Sequence, residues 1–181
     1  MNPSELAHVL SKGKEEGGPC NKRAHAGKGE PVRMVIFAKT LQMIELDRII
    51  AAHDRIRPYI HRTPVLTSRS MNNISGSTLY FKCENFQKIG AFKIRGAMNA
   101  VLPLPKETLR NGIATHSSGN HAQAIAFAAA EVGTKAFIVM PDNSPSVKVD
   151  AVRSYGAEIH FCKPIQEARE SLLQEILQKT G

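Results

Sequence analysis

Long apolar runs, paired cysteines and aromatic side chains are all scarce in this sequence. No segment approaches the roughly 20 consecutive apolar residues of a membrane-spanning helix, so no membrane partner is expected. Only three cysteines occur, Cys20, Cys83 and Cys162, far apart and without a C-x-x-C pair. A disulfide framework and a cysteine-based zinc site are therefore excluded, no metal is expected, and the usage fits a reducing, cytoplasmic compartment. Aromatic residues make up 6% of the chain, too few for the stacking platforms of a single-stranded nucleic-acid binder. The net charge of +8 does not alter that conclusion. Residues 1–42 carry seven Lys/Arg against four Asp/Glu, and residues 43–181 carry seventeen against twelve. The excess is spread along the chain, and no zinc-finger, RNP-like or dinucleotide motif accompanies it. A modestly basic surface or an anionic substrate is the better reading, with no nucleic acid as partner.

What is present is enough for one buried core: 181 residues, 42% hydrophobic and 22% charged. The first forty residues differ from the rest. Ser11 to Pro31 holds Gly13, Gly17, Gly18, Pro19, Gly27 and Gly29 among charges, with almost nothing apolar to bury. Such a segment cannot offset the entropy of ordering, so residues 1–42 read as a flexible leader. From Glu45 the apolar residues Leu46, Ile49, Ile50 and Ile56 recur at helical spacing, and Pro58 ends the run. His61 to Leu66 reads as an extended crossing segment. Leu79, Phe81 and Cys83 then alternate with polar residues as a strand.

The remainder alternates strand and helix: a helix over Phe92 to Leu102, a strand over Ile113 to Ser117, an Ala-rich helix over Gly119 to Val132. A strand over Ala136 to Met140, a helix over Pro145 to Tyr155 capped by Ser144, a strand over Glu158 to Cys162 and a helix over Ile165 to Lys179 follow. This order builds right-handed crossovers and an α/β fold, an open parallel sheet with flanking helices. Ligands of such sheets sit at the carboxyl ends of the strands, so the strand-to-helix loops are where chemistry is sought.

Two loops break local rules. In Lys88-Ile89-Gly90-Ala91-Phe92-Lys93-Ile94-Arg95-Gly96-Ala97, Lys93 and Arg95 fall in the first turn of a helix, where the macrodipole disfavours cations. That positive end favours a neutral amine, the form that attacks a carbonyl. A solvated Lys–Arg surface pair is the plainer alternative. In Thr115-His116-Ser117-Ser118-Gly119-Asn120-His121, hydroxyls, a glycine and an amide gather at a helix start and suit a carboxylate or phosphate. Ordinary capping by Ser118 or Asn120 is the equal alternative.

Both loops resemble those of the fold-type II pyridoxal-phosphate enzymes, nearest the serine/threonine dehydratase and serine racemase branch. Supporting stretches are His61 to Thr67, Phe81-Lys82-Cys83-Glu84, Met140-Pro141 and Tyr155-Gly156-Ala157, and the resemblance covers about residues 45–181. It implies a tryptophan synthase β-like fold, with residues 43–92 opening a large domain and 93–181 forming most of a small one. It implies pyridoxal 5'-phosphate as cofactor, held by Lys93 through a Schiff base, with Lys93 later acting as base at the substrate α-carbon. Phe92 would lie beside the ring and Asn120 would bond its oxygen. Ser117, Ser118, Gly119, Asn120 and His121 would hold the substrate carboxylate, and Ser118 would be the second base of the racemase branch. Ser68, Lys88, Gln123 and Tyr155 match that branch's nucleotide-effector site, whereas Arg69 and Ile89 do not.

The leading expectation is deamination of L-serine or L-threonine to a 2-oxo acid and ammonia, by a homodimer when full length. Serine racemase is the in-class rival, and a non-catalytic fragment that dimerises or binds small carboxylates is the rival outside it. Ala91 stands where many relatives carry serine. No run of consecutive glycines follows Lys93 to cradle a cofactor phosphate, so the chain reads as a truncated form, inactive alone.

Overall fold

The computed structural model describes residues 44–180. The expected flexible leader over residues 1–42 lies outside the described residues. Helix α1 (Leu46–Ile56) runs into a 3-10 turn, and β1 (Val65–Leu66), α2 (Arg69–Ser75) and β2 (Phe81–Lys82) follow. Two 3-10 turns (Glu84–Phe86 and Lys88–Gly90) lead into α3 (Lys93–Val101) and the short α4 (Lys106–Leu109). The alternating part is β3 (Ile113–His116), α5 (Asn120–Glu131), β4 (Ala136–Pro141), α6 (Ser146–Ser154), β5 (Glu158–Cys162) and α7 (Gln166–Thr180).

Strands β3, β4 and β5 form a parallel sheet with β4 in the middle, Thr115 opposite Ile138 and Val139 opposite His160. Every residue of β4 is buried. Its side chains divide by the period of two: Ile138 and Met140 join the cluster of α3, α5 and α6, whereas Phe137 and Val139 pack with Ile176, Leu172 and Leu173 of α7. A parallel strand covered on both faces is therefore apolar throughout. Helix α5 buries Ala122, Ala124, Ala126, Ala128 and Ala129 with Ile125, and its small side chains let α3 approach. Helix α3 answers with Ile94, Ala97, Met98 and Val101, a single stripe at helical spacing. Gly112 enters β3 at φ +93°, and a Cβ there would stand 2.7 Å from the Phe137 ring.

Three expectations change. The strand over Leu79 to Cys83 shrinks to Phe81–Lys82, which pairs antiparallel with Val65–Leu66. Among the described residues this pair has no third strand, and Phe81 is exposed. The stripe on α1 is likewise mostly uncovered: Ile56 is buried, and Leu46, Ile49 and Ile50 are exposed. Ser144 does not cap α6. The cap position falls on Pro145, one residue later, while a turn bonds the Ser144 N–H to Pro141 O at 3.0 Å. The Ser144 hydroxyl is buried without a partner.

Candidate active site

The chain from Cys83 to Phe92 has little regular structure, and side chains hold it in place. Gln87 is buried, and its Oε1 accepts from the backbone N–H of His61 (2.8 Å) and of Lys88 (2.9 Å). Its Nε2 donates to His61 O at 2.8 Å, so one amide side chain takes the place of a neighbouring strand. Ile89 then adopts φ +60°, the only non-glycine at positive φ among the described residues. A β-branched residue there costs about 1–3 kcal/mol, which the surrounding contacts must offset. The turn buries Ala91 and leaves Phe92 and Lys93 exposed at the start of α3.

Lys93 is the first residue of α3, and the two cations of its first turn have different surroundings. Arg95 donates from Nε and Nη2 to the two carboxylate oxygens of Glu84, both at 2.8 Å. Thr63 Oγ1 donates to the same carboxylate at 2.6 Å. The Arg95 hydrogen bond, with that from Thr63, outweighs burial and pulls the Glu84 carboxyl down to about 2, and the same contact raises the Arg95 guanidinium. Lys93 has no carboxylate partner among the described residues. Its Nζ lies 5.2 Å from the centroid of the Phe92 ring.

The second loop continues the ladder beyond β3, with the Ser117 N–H donating to Val139 O at 3.0 Å. Gly119 occupies the cap position of α5, and no side chain caps the helix. Ser117 Oγ accepts from the Gly119 N–H at 3.3 Å. Neither Ser118 nor Asn120 performs the ordinary capping role. The opening N–H groups of α5 thus remain available to an anion. His121 ties this loop to the lysine. Phe92, Lys93, Arg95, Gly96, Ala97, Ala100, His121 and Ile125 line one cavity of about 330 Å³. Burial, then the nearby Lys93 and His116, push the His121 imidazole below its ordinary range. Ser117, Ser118, Gly119 and Asn120 sit on the adjoining loop and do not line that cavity. An accessible unpaired amine, a neighbouring aromatic ring, a wall of small residues and an uncapped helix start together fit the reactive end of an aromatic aldehyde cofactor.

A family model described as pyridoxal-phosphate dependent enzyme matches residues 56–181. The chain belongs to the pyridoxal-phosphate-dependent enzymes. It is 55% identical over 130 residues to a serine racemase of Arabidopsis thaliana, covering 72% of this chain and 39% of the relative. The maize serine racemase structure superposes with a TM-score of 0.74 at 47% identity, over 76% of this chain and 42% of that one. A threonine deaminase from T.th. superposes with a TM-score of 0.69 at 41% identity, over 76% and 43%. The chain thus spans about 40% of the length of these relatives. The fold-type II architecture, the parallel sheet with flanking helices and the pyridoxal-phosphate cofactor of the family agree with the sequence expectation.

Of the four positions expected to bind an effector, Lys88 and Tyr155 meet at a residue that the sequence did not single out. The Lys88 ammonium lies 5.2 Å from the Phe127 ring centroid, and Tyr155 packs edge-on against the same ring at 5.5 Å. Gln123 stands one turn before Phe127 on α5. Ser68 instead caps α2, accepting from the Met71 N–H at 3.4 Å. Gln87 and the Glu84–Arg95 pair were not legible as site residues either, although Glu84 and Arg95 lie in stretches that carry the resemblance and Gln87 directly precedes the lysine loop. A lone aromatic in an alanine helix was the available signal for Phe127. Among the described residues, no helix is long and apolar enough to cross a membrane, and no three His, Cys, Asp or Glu gather as metal ligands.

Proposed function

We propose that this chain carries the lysine and the substrate loop of a serine racemase. The observation that carries the reading is the unpaired Lys93 at the start of α3, in one cavity with Phe92 and His121. The racemase relatives support this order of preference, which reverses the ranking of deamination first. Pyridoxal phosphate, when bound, supplies an electron sink for negative charge at the substrate α-carbon. The Lys93 amine would hold the cofactor and then take the α-proton onto Nζ. Phe92 would pack beside the cofactor ring and Asn120 would hydrogen-bond its oxygen. The uncapped N–H groups of α5, with Ser117, Ser118, Gly119 and His121, would bind and orient the carboxylate. Ser118 Oγ would deliver a proton on the face opposite Lys93 and so invert the centre. The whole protein is proposed to act as a cytoplasmic homodimer, with Lys88, Gln123 and Tyr155 in its nucleotide-effector site, while Ser68 caps α2.

Loss of the β-hydroxyl of serine or threonine, giving a 2-oxo acid and ammonia, is the second reading, favoured by the threonine deaminase likeness. The two are separated by assaying D-serine and pyruvate from L-serine with the cofactor-loaded full-length protein. Ser118→Ala is expected to depress racemisation more than elimination, because only racemisation needs a proton donor on the second face. Equal losses would make Ser118 a carboxylate-positioning residue. Formation of neither product would contradict both readings.

A further inference from the structure

The carboxyl ends of β3 and β4 are neighbours in the sheet, and each feeds the start of a helix, α5 and α6 respectively. Lys148 lies in the first turn of α6, again against the macrodipole, and no acidic residue shares that turn. Unlike the Arg95 guanidinium, its ammonium has no carboxylate or hydrogen-bond partner among the described residues, although the residue is half-buried. Its Nζ stands 3.6 Å from where a Cβ on Gly119 would be. Gly119 has φ −142°, so no left-handed backbone calls for glycine there. A Cβ there would meet the ammonium at ordinary van der Waals distance, so the Lys148 ammonium lies directly beside the loop backbone.

The loop from Ser117 to Asn120 offers hydroxyls, an amide and N–H donors but no formal charge, and a carboxylate leaving water needs a counter-charge. Lys93 is committed to the cofactor in the reading above. We propose that Lys148 is the cationic member of the carboxylate-binding loop, reaching across from α6 to hold the substrate carboxylate beside Gly119. The inference rests on the reading of Ser117 to His121 as the substrate loop. It also makes the carboxylate a tie between α5 and α6.

The test is a titration of the ¹⁵N-labelled 181-residue chain with sodium acetate at constant ionic strength set by chloride. The amides of Ser118, Gly119 and His121 report occupancy without cofactor or turnover. These signals are expected to move saturably, about tenfold more acetate being needed in Lys148→Met, as loss of one charge-assisted hydrogen bond predicts. Lys148→Arg keeps the charge and is expected to stay near the parent chain. Lys148→Gln repeats the charge loss with a polar side chain, should the methionine variant misfold. Charge-deleted variants that bind acetate as well as the parent would overturn the role of Lys148 while leaving the loop assignment standing. An arginine variant as weak as the methionine one would also overturn it. Loop amides that do not move in the parent chain would overturn the loop assignment and this inference together.

Discussion

Lys93 and Arg95 sit two residues apart in one helical turn, and a single carboxylate decides how each behaves. Glu84 accepts both Arg95 hydrogen bonds and that of Thr63, which leaves Lys93 the unpaired amine of the turn. Both side chains of the pair are less than a third exposed, at 27% and 20%. Glu84→Gln is expected to destabilise the fold by about 2 kcal/mol at neutral pH, because it strands a half-buried guanidinium. The Glu84 carboxyl sits at about 2, against 4.5 for the free group. Its stabilisation is therefore fully present above about 4.5 and is lost as the pH falls through about 2. Urea unfolding between pH 5 and 2 should show a shallower loss of stability in the variant than in the parent. The dipole violation was legible in the sequence, but its resolution was not, since a separation of eleven residues does not announce a tertiary ion pair.

Elements with their own punctuation and two covered faces were legible: β4 as a short apolar run, α5 as an alanine helix ended at Gly133, β5 and α7 close to their expected bounds. Elements whose shape depends on partners were not. The strand at Phe81 and the stripe of α1 are apolar at the expected spacing, yet little among the described residues covers them. The capping of α6 failed for a local reason, since Pro145 took the cap position and left Ser144 one residue short. The packing of α5 against α3 depends on small side chains, and Ala126 is fully buried. Ala126→Leu is expected to cost about 1–3 kcal/mol by overpacking, read as a lowered melting temperature. An unchanged melting temperature would mean that the core around Ala126 is not close-packed as described.

At the scale of the molecule, exposed Leu46, Ile49 and Ile50 on α1 and exposed Val65, Leu66 and Phe81 on the β1–β2 pair give an apolar surface to a basic chain. Surface of that kind promotes association. The 181-residue chain is expected to self-associate with rising concentration in size-exclusion chromatography with light scattering. The double variant Ile49→Lys/Ile50→Lys should shift it toward monomer, and a parent chain that is monomeric throughout would contradict this. The two candidate loops were legible as loops between a strand and a helix, because glycine, hydroxyl and lysine positions are local features. The cavity that joins Lys93 to His121 was not, because it forms only where α3 lies against α5.

The central claim is that Lys93 is the amine that holds the cofactor. Borohydride reduction of the pyridoxal-phosphate-loaded protein, followed by peptide mass spectrometry, tests it directly. The label is expected on the peptide carrying Lys93 and is expected to vanish in Lys93→Ala. A stable label on Lys82, Lys88 or Lys148 in place of Lys93 would contradict the account.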